Sequence, residues 1–579
     1  WWRLYSKFPC VSHQYKNNTL RTKEDNTMGT PLLITPTKSA YNPGLLIKSI
    51  LDQCLHFEPE KEIHYRDLYK MNYRDLHSRV SKLANSLREL GVKAGDVVGV
   101  LDFDSHRYLE LYFAVPMIGA VLHTINYRLS PEQISYTMNH AEDKVVFCHK
   151  TLLPLIIGIK STLTTVEKYV LLKDDEAALD DVSFLSGEYE ELLSRQKDEY
   201  SFPDMDENTM ATLFYTTGTT GQPKGVCFSH RQLVLHTMVV ANSLCAIDSP
   251  VRIHSTNVYM PLTPMFHVHA WGMPYVATML GMKQVYPGPY EPEMLMKLIL
   301  THTVSFSHCV PTILGILVNN PKVKSLDLSF FRVIIGGSAL PFGLAKSTLD
   351  LGIDIISGYG MSETCPVLTL PYIPTDTLNT LTIEEATAER IKTGRPILFV
   401  DLKLMDDAGN FLPFDGKTVG EIVVRAPWLT QTYYKETERS EELWQFGYMH
   451  TGDMAWVEPN GTVVICDRKK DVIKSGGEWI SSLAIESLIS SYLGVKETAI
   501  IGVPDEKWGE RPLALVVLGD GVNVSNEDLK NHLQQFVDTG QISKWAVPDI
   551  VKFVKEIPKT SVGKIDKKLI RVLIEKNEI

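Results

Sequence analysis

From about residue 72 the chain alternates between stretches with helical spacing of apolar residues and short apolar runs that end in glycine-rich turns. That alternation restricts it to a layered α/β architecture with mainly parallel strands. YRDLHSRVSKLANSLRELGV has apolar residues at helical intervals, stops at Gly91 and hands over to the apolar run VVGVL. HRYLELYFAVPMIGAVLH reads as a buried helix, SPEQISYTMNHA as a second, and KVVFC as a strand. SFFRVIIGGSALP and DIISGYG read as strands that run straight into glycines. In sheets of this kind ligands collect beyond the carboxyl ends of the strands, where these turns lie.

A chain of 579 residues is too long for one core. Residues 28–466 read as a large N-terminal domain. Its last part, about 396–466, is β-rich, because DLKLMDDAGNFLPFDGKTVGEIVVRAP has the look of hairpin strands joined by polar turns. CDRKKDVIKSGGEW marks a charged joint, with 467–470 as its centre. Residues 471–579 then form a small α+β domain of their own. The first 27 residues carry five basic side chains and one acidic one before position 25, and read either as an import presequence or as a leader upstream of Met28. They are set aside from the fold.

The formal net charge of −11 argues against nucleic acid as a partner. The eight cysteines are scattered without a CxxC pair, which suits a reducing, cytoplasmic setting, with organelle import through residues 1–27 left open. No apolar run approaches the roughly 18–20 residues of a spanning helix. The nearest, YLELYFAVPMIGAVLH, is interrupted by Glu110 and Pro116.

YTTGTTGQPKG, Tyr215–Gly225, is unsuited to a helix or to much of a strand, since glycine carries a high backbone entropy and Pro223 lacks a donor. Exposed N–H groups, threonine hydroxyls and the Lys224 ammonium suit a loop wrapped around an anion. A P-loop requires GxxxxGK[ST], and here Lys224 precedes its glycine. The nearest miss, Gly416-Lys417-Thr418, has Phe411 where the first glycine belongs. No GxGxxG opens a helix after a strand, so a dinucleotide fold has little support.

YTTGTTGQPKGVCFSH resembles the signature of the adenylate-forming superfamily of acyl-CoA synthetases, luciferases and adenylation domains. Further motifs of that superfamily follow in order: PMFHVHAW, GGSALP, GYGMSET, TGRP, GEIVVRAP, HTGD, DRKKDVIKSGGEWIS and PKTSVGK. FHVHAWGMPY, VLHTINYRLSP and KSGGEWISS resemble the medium- and long-chain fatty acyl-CoA synthetase branch. The resemblance implies that ATP and a carboxylic acid give acyl-AMP and pyrophosphate, and that CoA then displaces AMP.

It also implies roles for particular residues. Thr216, Thr217, Gly218, Thr219, Thr220, Gly221 and Lys224 would hold the β- and γ-phosphates, and Glu363 would ligate Mg²⁺. Ser362, where the family usually has Thr, would contact the AMP phosphate. Asp453 and Arg468 would take the ribose. Tyr359 would lie against adenine, with Gly336, Gly337, Ser338, Gly358 and Gly360 letting backbone approach nucleotide and acyl group. Lys564 would neutralise charge at the reacting carboxylate. Lys470 would be the hinge of a mobile C-terminal domain whose rotation brings Gly476, Gly477, Glu478 and Trp479 to the CoA channel. His230, His267 and Trp271 would belong to the acyl pocket, Trp271 standing where a related long-chain synthetase has a tunnel gate.

His267 and His269 also have the HxH spacing a metal hydrolase uses, but no Asp, Glu or Cys nearby completes a site. A free-standing enzyme loading a carrier protein, a luciferase, and a nucleotide-binding protein without turnover remain as rival functions. A homodimer and peripheral membrane contact are left open.

Overall fold

The computed structural model describes residues 32–579 apart from 178–182, 217–221, 476–477, 520 and 562, with only the backbone at 478 and 479. Residues 1–27 lie outside the described residues. Two seven-stranded sheets form the bulk of the large domain. The first runs, in spatial order, Asp354–Ser357, Arg332–Ile335, Phe306–Cys309, Val258–Tyr259, Lys283–Tyr286, Glu62–Tyr65 and Tyr69–Asn72. The second contains Val97–Leu101, Val121–Thr124, Asp143–His149 and Met210–Thr216 as parallel neighbours, with Lys224–Ser229 antiparallel at its edge.

The expected buried helix is real, but shorter than its apolar run. It spans His106–Met117, every residue of it buried. Gly119, at φ +81°, then turns the chain into the strand Val121–Thr124, so the apolar continuation AVLH belongs to the sheet. The helix packs against Glu62–Tyr65 of one sheet and Val121–Thr124 and Met210–Thr216 of the other, which explains why it is apolar on all sides. Tyr112, Phe113, Phe214 and Tyr275 are fully buried around it. Each such side chain contributes about 1.5–3 kcal/mol.

The β-rich part is an antiparallel sheet containing Asp401–Met405, Gly420–Arg425, Tyr448–Val457 and Val463–Arg468. The small domain has the long hairpin Val495–Asp505 and Gly509–Leu518, with Ile550–Phe553 added in parallel. Alternate residues face opposite sides, as strand geometry requires. Ile500, Ala514 and Val516 pack with Ile485, Ile489, Leu529 and Leu533 on one face. Ala499, Ile501, Leu513 and Leu515 pack with Ile557 and Ile570 on the other. Among the described residues no helix is long and apolar enough to cross a membrane.

The stretch Tyr215–Gly225 departs from its reading as loop throughout. Its ends are strand: Tyr215 pairs with Gly225 and Thr216 with Lys224 across an antiparallel ladder. Only the part between them connects two strands, and the ladder overrides the glycine and proline content at the rims.

Gly394 ties the β-rich sheet to a short strand, Arg395–Pro396, that pairs with Val367–Leu370. Its carbonyl accepts from Val463 N–H at 2.7 Å, its φ is +92°, and a Cβ there would overlap the Leu370 carbonyl. Gly394→Ala is expected to lower the stability of the first unfolding transition in urea by about 3 kcal/mol, through backbone strain and overlap. An unchanged midpoint would contradict this account.

Candidate active site

The neighbouring parallel strands Arg332–Ile335 and Asp354–Ser357 end side by side, and each opens directly into glycine. The absence of side chains here is a packing requirement. A Cβ on Gly336 would fall 2.8 Å from the Gly358 carbonyl oxygen and 2.9 Å from Trp271 Cη2, and one on Gly360 would overlap the Pro366 carbonyl oxygen. The cavity above this glycine floor is lined by His267, Trp271, Gly336, Gly337, Gly358, Tyr359, Gly360, Ser362 and Lys564, together with apolar Ile334, Val367 and Leu370. Residues almost three hundred positions apart thus meet at one place.

Lys564 arrives from the small domain on a tight turn, in which Lys564 N–H donates to Thr560 Oγ1 at 3.2 Å and Thr560 N–H to the Lys564 carbonyl at 2.7 Å. The large domain holds this turn through Asn126 Nδ2 to Ser561 Oγ at 3.2 Å and Thr312 Oγ1 to the Gly563 carbonyl at 3.3 Å. Gly337, at φ +80°, lets the lysine stem pass: its absent Cβ would be 3.3 Å from Lys564 Cε. Desolvation lowers the ammonium to about 8, helped by the nearby Arg468 charge and opposed by Asp453 and Glu363. Burial, with Lys564 and Arg128 close by, pushes His267 down to about 3, so its imidazole is neutral at pH 7.

Asp453 and Arg468 face each other across the antiparallel pair Tyr448–Val457 and Val463–Arg468. Arg468 Nε lies 3.5 Å from Asp453 Oδ1, and Tyr359 OH donates to Oδ2 at 2.7 Å. Burial raises the Asp453 carboxyl, while Arg468 and the Tyr359 hydroxyl pull it back.

On the other side, Glu363 Oε1 accepts from Tyr433 OH at 2.7 Å, and Lys224 Nζ sits 4.5 Å from the centre of the Tyr433 ring. The Glu363 carbonyl accepts from Thr430 N–H at 3.0 Å. Thr217, Gly218, Thr219, Thr220 and Gly221 lie outside the described residues; Thr216 pairs with Lys224 at their border.

The segment holding His267 and Trp271 is a left-handed turn. Val268, His269, Ala270 and Trp271 have φ of 48°, 54°, 47° and 58°, followed by Gly272 at 71°. Each non-glycine residue there costs about 1–2 kcal/mol. The turn is fixed by its base: Met265 N–H donates to Asp104 Oδ1 at 2.8 Å, and Thr124 Oγ1 to the Phe266 carbonyl at 2.9 Å. Tyr290 OH donates to Asp104 Oδ2 at 2.6 Å, and burial raises that carboxyl to about 7. The two histidines of HxH part company here. His269 is fully buried against Tyr112, Phe214 and Tyr275 and neither ring nitrogen has a hydrogen-bond partner. Among the described residues no group of three or more His, Cys, Asp or Glu side chains is placed to hold a metal ion.

Other expected residues lie elsewhere. His230 is buried at the start of the helix His230–Ala246, its Nδ1 accepting from Ile47 N–H at 3.2 Å, and it does not line the cavity. Ser338 is exposed. Lys470 is exposed on the turn between Val463–Arg468, in the large domain's sheet, and Ile473–Ser475, in the small domain's sheet. Gly476 and Gly477 lie outside the described residues; the backbones of Glu478 and Trp479 pair with Ser475 and Lys474. Tyr433 and Asp104 are contributions that sequence reading missed. The only signal for Asp104 was a carboxylate just past the end of the strand Val97–Leu101, and for Tyr433 there was none.

The chain matches the AMP-binding enzyme family over residues 51–434 and the AMP-binding enzyme C-terminal domain over 484–564. It is 41% identical over 517 residues to a long-chain-fatty-acid–CoA ligase of Thermus thermophilus, covering 89% of this chain and 92% of that one. It is 39% identical over 535 residues to a 3-methylmercaptopropionyl-CoA ligase of Ruegeria lacuscaerulensis, covering 91% and 97%. The crystal structure of the anthranilate CoA ligase AuaEII with anthranoyl-AMP shares the fold, with a TM-score of 0.80 at 23% identity over 91% of this chain and 96% of that one. The glycine-floored cavity, the motifs around it and these matches place the chain in the AMP-binding, adenylate-forming enzyme family, as an acid–thiol ligase of its acyl-CoA synthetase branch.

Proposed function

We propose that the protein activates a medium- or long-chain fatty acid with ATP, giving acyl-AMP and pyrophosphate, and then transfers the acyl group to CoA. The observation that carries this reading is the entry of Lys564 into the cavity that also holds His267 and the glycine floor. A carboxylate attacking a phosphate brings two anions together, and the barrier falls where fixed positive charge faces the developing charge. Lys564 supplies that charge beside Gly337. Neutral His267 offers a hydrogen bond without adding a second cation. Apolar Ile334, Val367 and Leu370 form a wall suited to an alkyl chain.

Tyr359 and Asp453 are joined, so the carboxylate that would take the ribose hydroxyls is held by the ring proposed to face adenine. Lys224, with Thr216 and Thr217–Gly221, would hold the outer phosphates. Glu363 has one carboxylate oxygen engaged by Tyr433 and the other directed to no described donor, which suits a hard cation that takes few protein ligands and completes its shell with phosphate and water. When bound, Mg²⁺ would supply charge neutralisation at the phosphates. The small domain would swing about Lys470 after adenylation, withdrawing Lys564 and bringing 476–479 toward the CoA channel. The few, long hydrogen bonds that hold the Thr560–Lys564 turn support a reversible docking.

The test is acid-dependent pyrophosphate release across saturated fatty acids from short to long, with and without CoA. Turnover that requires CoA and peaks at medium or long chains is the expected result. A maximum at short acids would replace the fatty acid by a smaller one, and pyrophosphate without CoA thioester would move the acceptor to another nucleophile. Lys564→Ala should lose adenylation while CoA still converts supplied acyl-adenylate; equal loss in both steps would contradict its role. With a lysine at about 8, kcat/KM for pyrophosphate release should fall as pH rises past that value and the ammonium deprotonates. Lys564→Arg, which stays protonated, should remove this alkaline limb. Asp453→Ala should weaken ATP binding by about 1.5–3 kcal/mol, read by calorimetry, through loss of charge-assisted hydrogen bonds. An unchanged ATP affinity would count against the ribose role.

A further inference from the structure

We propose that Tyr433 is a positioning residue that holds Lys224 and Glu363 apart and aims both at the nucleotide phosphates. The inference rests on the adenylation reading above. Tyr433 is almost fully buried, at 4% exposure. Its two functional ends face different partners: the hydroxyl donates to Glu363 Oε1 at 2.7 Å, and the ring face carries Lys224 Nζ at 4.5 Å from its centre. A cation over an aromatic face is held by the ring quadrupole without being neutralised. A carboxylate that accepts a hydrogen bond from a phenol likewise gains a partner without a counter-ion and has its second oxygen left over.

Without this ring, the simplest resting state for a buried carboxylate and a neighbouring ammonium would be an ion pair with each other. Neither Lys224 nor Glu363 has an ion-pair partner among the described residues, and each instead leans on Tyr433. An ammonium and a carboxylate locked together would have to be separated each time a polyphosphate binds. Tyr433 keeps them separated in advance.

The backbone around Tyr433 is built to fix it against both partners. Tyr434 N–H donates to the Gly225 carbonyl at 2.8 Å, and Val226 and Tyr433 form a β-bridge, so the segment is stitched to the strand that starts at Lys224. Thr430 Oγ1 donates to the Cys227 carbonyl at 2.9 Å on the same strand. Toward Glu363, Thr430 N–H donates to its carbonyl, and Trp428 Nε1 to the Thr364 carbonyl at 3.0 Å. Gly225 admits this close pass, since a Cβ there would lie 3.0 Å from Tyr434 Cβ. One short segment, Trp428–Tyr434, therefore sets the distance between the phosphate-loop strand and the Glu363 turn.

Two variants separate hydroxyl from ring. Tyr433→Phe removes the donor to Glu363 and keeps the face under Lys224; Tyr433→Leu removes both. ATP is titrated calorimetrically with and without MgCl₂, in the absence of acid, and pyrophosphate release is followed against Mg²⁺ concentration. Tyr433→Phe is expected to weaken Mg²⁺-dependent ATP binding on the order of ten-fold while Mg²⁺-free binding stays within about two-fold. Tyr433→Leu should weaken Mg²⁺-free ATP binding as well. In a Glu363→Gln background, Tyr433→Phe should cause little further loss, because its partner is already altered. CoA transfer from supplied acyl-adenylate should match the parent in the Phe variant, which a general packing defect would not allow. Parental Mg²⁺ dependence in Tyr433→Phe, or equal losses in both half-reactions, overturns the proposal while leaving the adenylation reading intact. A parent protein that binds ATP without any Mg²⁺ dependence and releases no pyrophosphate overturns that reading and this proposal with it.

Discussion

The lysine that crosses from the small domain to the glycine floor is the contact on which the site depends. An ammonium at Gly337 is paid for in desolvation, which is why it titrates near 8 instead of at its usual value. It remains there because Asp453 and Glu363 face it and because the turn Thr560–Lys564 is pinned to Asn126 and Thr312. Those hydrogen bonds are few and long, worth about 0.5–1.5 kcal/mol each. The domains also meet where Gly343 passes under the Ser490 carbonyl, 2.5 Å from where a Cβ would stand. Beside the cavity the small domain thus meets the large one through a few hydrogen bonds and one close glycine pass.

The second constraint is that a polyanion site must hold its charges ready without letting them cancel. The structure meets it the same way on both sides of the cavity. Asp453 is held by the Tyr359 hydroxyl and only loosely by Arg468, and Glu363 is held by the Tyr433 hydroxyl while Lys224 rests on the ring. At Glu363 a neutral phenol occupies the place a counter-ion would otherwise take, and at Asp453 a phenol shares the carboxylate with Arg468. Donors already in position cost little reorganisation when the substrate's charge arrives.

Much of this was legible in the sequence, for physical reasons that separate it from the rest. Strands ending in glycine, such as Arg332–Ile335 before Gly336, announce themselves because the local run and its terminator are adjacent. The end of the helix at Met117 was hidden, since a helix buried on all sides and the buried strand after it are equally apolar. Tyr433 and Asp104 were hidden for another reason. Their partners lie 70 and 161 positions away, and a lone Tyr or Asp in an irregular segment carries no periodicity that points to them.

The left-handed turn Val268–Trp271 shows how the core supports the chemistry. Four non-glycine residues in that conformation cost several kcal/mol between them, on the order of 1–2 each. Local hydrogen bonds, from Ala270 N–H to the His267 carbonyl at 3.1 Å and from Gly272 N–H to the His269 carbonyl at 3.0 Å, offset part of that cost. The balance comes from below, where Asp104 and Thr124, anchored by the buried helix and the second parallel sheet, hold the backbone of Met265 and Phe266. Tyr112 OH also donates to the Met265 carbonyl. The result is that His267 faces the cavity while His269, two residues on, is driven into an aromatic box beside Tyr112 and Phe214. A regular strand would have placed both imidazoles on one face. The strained turn sends only one of them to the cavity, and leaves Trp271 packed against Gly336.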